Sequence, residues 1–132
     1  MRSKIILLAE DNPDDLFIFK MMFRRATLPH TVFSVEDGQQ AIDWLKGAGE
    51  YADREKFPLP TLLILDLKMP IKTGIEVLEW MRTQSQLEQP VIVLSSSDDE
   101  RDVKRAYELG AATYFVKSAQ LQDVIQYLRL TN

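Results

Sequence analysis

Ile5-Ile6-Leu7-Leu8-Ala9 is an unbroken apolar run that gives way at once to Glu10-Asp11-Asn12. A short run without polar alternation is the pattern of a strand buried on both faces. Leu62-Leu63-Ile64-Leu65, ahead of Asp66, and Val91-Ile92-Val93-Leu94, ahead of Ser95-Ser96-Ser97, repeat it. Thr31-Val32-Phe33-Ser34-Val35 and Thr113-Tyr114-Phe115-Val116 carry the β-branched and aromatic residues that suit two further strands.

Helical periodicity fills the intervals. Leu16, Phe17, Phe19, Met21, Met22 and Phe23 predict a helix over 14–25 with a broad buried stripe. Ala41, Ile42, Trp44 and Leu45 predict a second helix, stopped by Gly47 and Gly49. Ile75, Val77, Leu78 and Met81 predict a third that ends before Pro90. Val103, Ala106, Tyr107 and Leu109 predict a fourth, with Gly110 at its C-cap. Leu121, Val124, Ile125 and Leu128 have the i, i+3, i+4, i+7 spacing of a fifth. A strand-helix unit repeated five times implies an α/β fold with a parallel sheet and helices on both faces.

The bulk properties agree. The 132 residues suit one domain, 45% of them are hydrophobic and 27% charged, and there is no cysteine. Thiol catalysis, disulfide scaffolds and zinc-thiolate sites are thereby excluded. A net charge of -4 argues against a nucleic-acid-binding surface. No apolar run has the length of a membrane span, and the run after Lys4 is too short for a signal peptide. The expectation is a single cytoplasmic domain, residues 1–132, with no membrane partner and no room for a DNA-binding output domain.

In such sheets ligands bind beyond the carboxyl ends of the strands. The residues that stand there are Glu10 and Asp11, Asp66, the Ser95-Ser96-Ser97 run, and Lys117. Crowded carboxylates repel one another, and Lys117 supplies only one positive charge. An all-oxygen ligand set without nearby His or Cys points to a hard divalent cation, Mg²⁺ or Mn²⁺. Such a site suits phosphoryl transfer, where positioning and charge neutralisation do most of the catalysis. Asp66, between the other groups, is the candidate acceptor; Glu10 and Asp11 would hold the metal, and Ser95 and Lys117 would meet phosphoryl oxygens.

Ala9-Glu10-Asp11-Asn12, Leu65-Asp66-Leu67-Lys68-Met69-Pro70 with Gly74, Val93-Leu94-Ser95 and Tyr114-Phe115-Val116-Lys117 resemble the receiver domains of two-component response regulators. The resemblance implies a doubly wound, flavodoxin-like (CheY-like) sheet of order 2-1-3-4-5. It implies phosphorylation of Asp66 by a sensor histidine kinase or a histidine phosphotransfer protein. It places the metal on Asp11, Asp66, the backbone carbonyl of Lys68 and, partly through water, Glu10. It makes Ser95 and Tyr114 the switch pair, with Ser96 and Lys117 beside the phosphoryl group. Gly49-Glu50-Tyr51-Ala52, the segment to Pro60 and Ala106-Tyr107-Glu108-Leu109-Gly110-Ala111 resemble single-domain regulators paired with bacterial phytochromes. That implies a phytochrome-type kinase and homodimers through the fourth helix, fifth strand and fifth helix.

Two departures stand out. Ser118 occupies the place of the family's usual proline, so a trans Lys117-Ser118 bond and an altered following loop are expected. Lys68 replaces a polar uncharged residue, and its ammonium is expected to reach over the site. Other assignments compete. Glu10-Asp11-Asn12 could cap a helix, and an aspartyl phosphatase would also use a carboxylate nucleophile. Such enzymes place a second Asp two residues on, where this chain has Lys68. A receiver-like scaffold that takes no phosphate is opposed by the acidic pair, Ser95 and Lys117. Gly47-Ala48-Gly49 follows a helix rather than a strand, which removes a dinucleotide loop. His30 is expected at the surface.

Overall fold

The computed structural model describes residues 3–130. Strands β1 (Ile5–Ala9), β2 (Thr31–Val35), β3 (Leu62–Leu65), β4 (Val91–Ser95) and β5 (Thr113–Val116) alternate with helices α1 (Pro13–Arg25), α2 (Gly38–Lys46), α3 (Gly74–Thr83), α4 (Glu100–Glu108) and α5 (Lys117–Leu130). One 3-10 turn, Gly49–Ala52, lies between α2 and β3. All pairings are parallel and the order is β2-β1-β3-β4-β5, as the family resemblance implies.

Parallel strands need crossovers, and each crossover brings a helix onto the sheet. Successive side chains of a strand point to opposite faces, so each apolar run feeds two cores. Leu7, Ala9, Leu63, Leu65, Val91 and Val93 face Ala41, Ile42, Trp44, Val77, Leu78, Met81 and Ala106 of α2, α3 and α4. Ile6, Leu8, Ile64, Ile92 and Leu94 face Phe19 and Phe23 of α1 and Val124, Ile125 and Leu128 of α5. The strand order reverses beside β1, so the crevice at its carboxyl end is where a ligand site is expected.

Two expectations need correction. The stripe on α1 is narrower than its sequence suggests: Phe19 and Phe23 are buried, whereas Phe17 is 66% and Ile18 40% exposed. A run of apolar residues on consecutive helical positions cannot all face one sheet at 3.6 residues per turn. His30 is buried rather than superficial. Its Nδ1 accepts the Lys4 backbone N–H at 2.9 Å, and its ring lies 6.3 Å from that of Phe23. Burial, with Lys4 nearby, lowers its affinity for a proton below the ordinary 6.5. Stability contributed by neutral His30 is therefore complete above that value and is lost as pH falls toward the depressed folded pKa. Urea titrations across this range should show a shallower acid-side loss in His30→Gln than in the wild type; parallel slopes would contradict it.

The segment between α2 and β3 is fastened by its side chains. Arg54 donates to the Trp44 and Leu45 carbonyls at 2.7 and 3.0 Å, which closes the end of α2. Trp44 sits among Phe33, Tyr51 and Phe57, with ring centroids 5.1–5.3 Å away, and its Nε1–H donates to Pro58 O. Gly47 takes φ +70 at the end of α2, the left-handed cap that glycine adopts without strain.

Candidate functional site

The carboxyl ends of β1, β3 and β5 bring the predicted groups together. Asp66 N–H donates to Ala9 O at 3.1 Å, and Glu10 N–H to Val35 O at 3.0 Å, so the sheet ladder itself positions both residues. Asn12 performs the capping, its side chain accepting from Asp14 and Asp15 N–H, and Pro13 opens the helix. Glu10 and Asp11 are thereby released from the capping role. Glu10 Oε2 accepts the Asn12 N–H at 3.0 Å, and Glu10 Oε1 lies 2.6 Å from Lys117 Nζ.

Asp66 is 4% exposed. Its Oδ1 accepts the Lys68 N–H at 3.2 Å and its Oδ2 lies 2.9 Å from Lys117 Nζ. One ligand oxygen from each of Glu10, Asp11 and Asp66 falls within a mutual 4.8 Å. Three carboxylates this close are short of positive charge. Burial pushes Glu10 up to about 7, opposed by Lys117 and the Asn12 N–H and aided by Asp66. Burial also pushes the Lys117 ammonium down, but bonds to Glu10, Asp15 and Asp66 outweigh it and hold Lys117 above its usual value. The oxygen-only donors and the carboxylate surplus fit a hard divalent cation.

The loop from Asp66 to α3 is tightly folded. Lys72 N–H donates to Pro70 O at 2.8 Å around Ile71, whose φ is 70°. This is the rare, strained form of γ-turn, here centred on a β-branched residue that is 74% exposed. Gly74 N–H then returns to Leu67 O at 2.9 Å, and Thr73 caps α3 in a capping box with Glu76. Lys68 is exposed, and among the described residues no ion pair or hydrogen bond engages its ammonium.

Beyond β4, Ser95 is fully buried and its Oγ accepts the Ser97 N–H at 3.2 Å. Tyr114 is also buried, and its hydroxyl donates to Ser97 O at 2.7 Å. Ser97 Oγ donates to Asp102 of α4 at 2.6 Å. Ser97 thus ties together Ser95, Tyr114 and α4, a role the sequence did not single out. Ser96 is exposed and lines the same cleft as Glu10 and Lys117.

Asp15 is the second residue that sequence reasoning missed. Its Oδ2 lies 2.9 Å from Lys117 Nζ, although 102 residues separate the two. The available signal was weak: Asp15 stands in the first turn of α1, and only the fold shows that its side chain meets Lys117. The expected trans Lys117-Ser118 bond falls on Ser118, which lies outside the described residues. The chain enters α5 directly at Lys117 and bends at Gln120 (φ -128°).

Residues 6–129 match the family model of the response regulator receiver domain. Response regulator Rcp1 of Synechocystis sp. is 36% identical over 127 residues, covering 96% of this chain and 84% of Rcp1. The crystal structure of its Mn²⁺-bound form superposes with a TM-score of 0.81, covering 96% of this chain and 89% of that one. The phosphorylated cyanobacterial phytochrome response regulator RcpA is 37% identical, with a TM-score of 0.82 and coverage of 97% and 90%. The bacteriophytochrome response regulator RtBRR is 38% identical, with a TM-score of 0.82 and coverage of 97% and 77%.

Proposed function

This chain belongs to the response regulator receiver family of two-component signalling, and on that premise we propose that it is a phosphoryl-accepting switch whose acceptor is Asp66. The supporting observation is the nearly buried Asp66 carboxylate with Lys117 Nζ at 2.9 Å and the Glu10 and Asp11 oxygens alongside. An Asp66 carboxylate oxygen attacks the phosphorus of the donor. The bond to the leaving group breaks with its electron pair, and an acyl phosphate remains on Asp66.

Glu10, Asp11, Asp66 and the Lys68 carbonyl would hold Mg²⁺ or Mn²⁺. The cation would offset the charge gathering on the phosphoryl oxygens. Lys117 binds one of those oxygens and the Ser95 hydroxyl another, with Ser96 at the rim. Engaging Ser95 draws its Oγ from the Ser97 N–H, and Ser97 carries the change to Tyr114 and Asp102. The element so biased is the start of α4.

The donor we propose is a sensor histidine kinase of phytochrome type, or a histidine phosphotransfer protein, which would meet this chain in the cytoplasm. The likeness to Rcp1, RcpA and RtBRR supports that class. Output would pass through the α4-β5-α5 face, by homodimerisation or partner binding, with Tyr107 of α4 exposed. Among the described residues no helix is long and apolar enough to cross a membrane. Residues 1–132 would act as one receiver unit.

The test is incubation with Mg²⁺ and acetyl phosphate, read by intact mass. The wild type should gain one phosphoryl group and Asp66→Ala none. An unmodified wild type, or a gain that persists in Asp66→Ala, rejects the assignment.

A further inference from the structure

The Lys117 ammonium has three N–H donors and three carboxylate partners: Glu10 at 2.6 Å, Asp15 at 2.9 Å and Asp66 at 2.9 Å. Two of these partners have a second claimant. Glu10 and Asp66 belong with Asp11 to the oxygen cluster that suits a divalent cation, and Asp15 does not. A metal held there competes with Lys117 for Glu10 and Asp66 and leaves Asp15 untouched.

Asp15 is itself well fixed. It lies in the first turn of α1, and its N–H donates to Asn12 Oδ1 at 3.1 Å. Lys117 reaches it along a cleft of about 370 Å³ walled by Leu8, Ile18, Leu94 and Leu121. The lysine side chain is 14% exposed. Among the residues lining that cleft, Asp15 is the only carboxylate besides Glu10. Exposed ion pairs contribute little by themselves, but here one partner is confined and the pair sets where its charge lies.

We propose that Asp15 is a positioning residue: it keeps the Lys117 ammonium at the phosphorylation site when Glu10 and Asp66 are engaged elsewhere. This rests on Asp66 being the acceptor. Without Asp15, Lys117 is held as before in the metal-free protein. It loses its dedicated partner once Mg²⁺ is added.

Selective ¹⁵N-lysine NMR on the full chain reads this without any reaction. The hydrogen-bonded Lys117 ammonium signal should persist in the wild type with and without Mg²⁺. In Asp15→Asn it should persist without Mg²⁺ and vanish with it. At saturating Mg²⁺, acetyl phosphate should modify Asp15→Asn at least about fivefold more slowly, and Asp15→Glu should recover most of that rate. A weakened charge field alone would raise the Mg²⁺ requirement and leave the saturated rate intact. Persistence of the signal in Mg²⁺-loaded Asp15→Asn, or a saturated rate within about twofold of wild type, overturns the proposal. If the wild type accepts no phosphoryl group, the acceptor assignment fails instead, and the NMR comparison still decides the role of Asp15.

Discussion

Gly74→Ala is expected to lose about 3 kcal/mol of stability or more, at the upper end of overpacking substitutions, and to slow phosphorylation of Asp66 sharply. A β-carbon there would lie 2.2 Å from Asp66 O and 2.7 Å from Leu67 Cα. Both are backbone atoms, so no rotamer change relieves the overlap. Either α3 retreats from the sheet or the Asp66 peptide shifts, and each disturbs the acceptor. The close approach also explains why the Gly74 N–H can reach Leu67 O.

A useful control is Gly49→Ala. Gly49 has φ +60 and nothing within 4 Å of its virtual β-carbon. That substitution carries only the left-handed backbone penalty, roughly 1–2 kcal/mol. Urea titration of both variants separates crowding from backbone strain. Equal losses, or a Gly74→Ala protein of wild-type stability, would refute the crowding argument.

Lys117→Ala is expected to have the second large effect, and its sign depends on the metal. Removing the ammonium leaves Glu10, Asp15 and Asp66 without their shared cation. Stripping one partner from a buried ion pair costs on the order of 3–5 kcal/mol, less here because a carboxylate can take up a proton. Glu10 is the group that does so, since burial already raises it to about 7. Its folded pKa lies above the unfolded 4.5, so its favourable share is complete below that value and is lost as pH rises through the folded one. The deficit of Lys117→Ala should therefore be largest on the alkaline side and shrink as the pH falls.

Metal binding should move oppositely. The ammonium is a positive charge in contact with two of the three prospective ligands. Two unit charges at about 4 Å interact by roughly 4 kcal/mol at an effective dielectric of 20. Losing that repulsion should tighten Mg²⁺ binding at least about tenfold, even as phosphorylation no longer moves Ser95 and Tyr114 together. Calorimetric Mg²⁺ titration of both proteins is the measurement. Weaker binding by the variant would mean that Lys117 does not face the cluster.

The strands were legible because burial on both faces leaves little room for anything but apolar residues. The five runs in the sequence coincide with the five strands almost residue for residue. The residues at their ends followed once the sheet was taken as parallel. What escaped were features set by tertiary neighbours. Phe17 looks like core on composition, and only the angular position of α1 turns it outward. His30, beside a proline in a turn, is enclosed because Lys4 and Phe23 close around it. Asp15 and Ser97 carry no local mark; each acquires its role from a partner on another element. Tyr114 was noticed only through the family resemblance, and its buried hydroxyl bond to Ser97 O is a fact of packing.

The two ends of α4 are held very differently. At its far end Arg82 of α3 donates to Leu109 O at 2.7 Å and to Gly110 O at 3.1 Å, and Arg105 pairs with Glu79 at 3.5 Å. At its near end the helix hangs from the serine loop through Ser97 and Asp102. In mechanical terms α4 is a lever with its fulcrum at Gly110. A displacement entering at Ser97 would become tilt rather than sliding, with its largest arc over the first turn and its smallest at the last. A partner that grips α4 near Leu109 would bind both states alike, whereas one that grips near Glu100 would tell them apart.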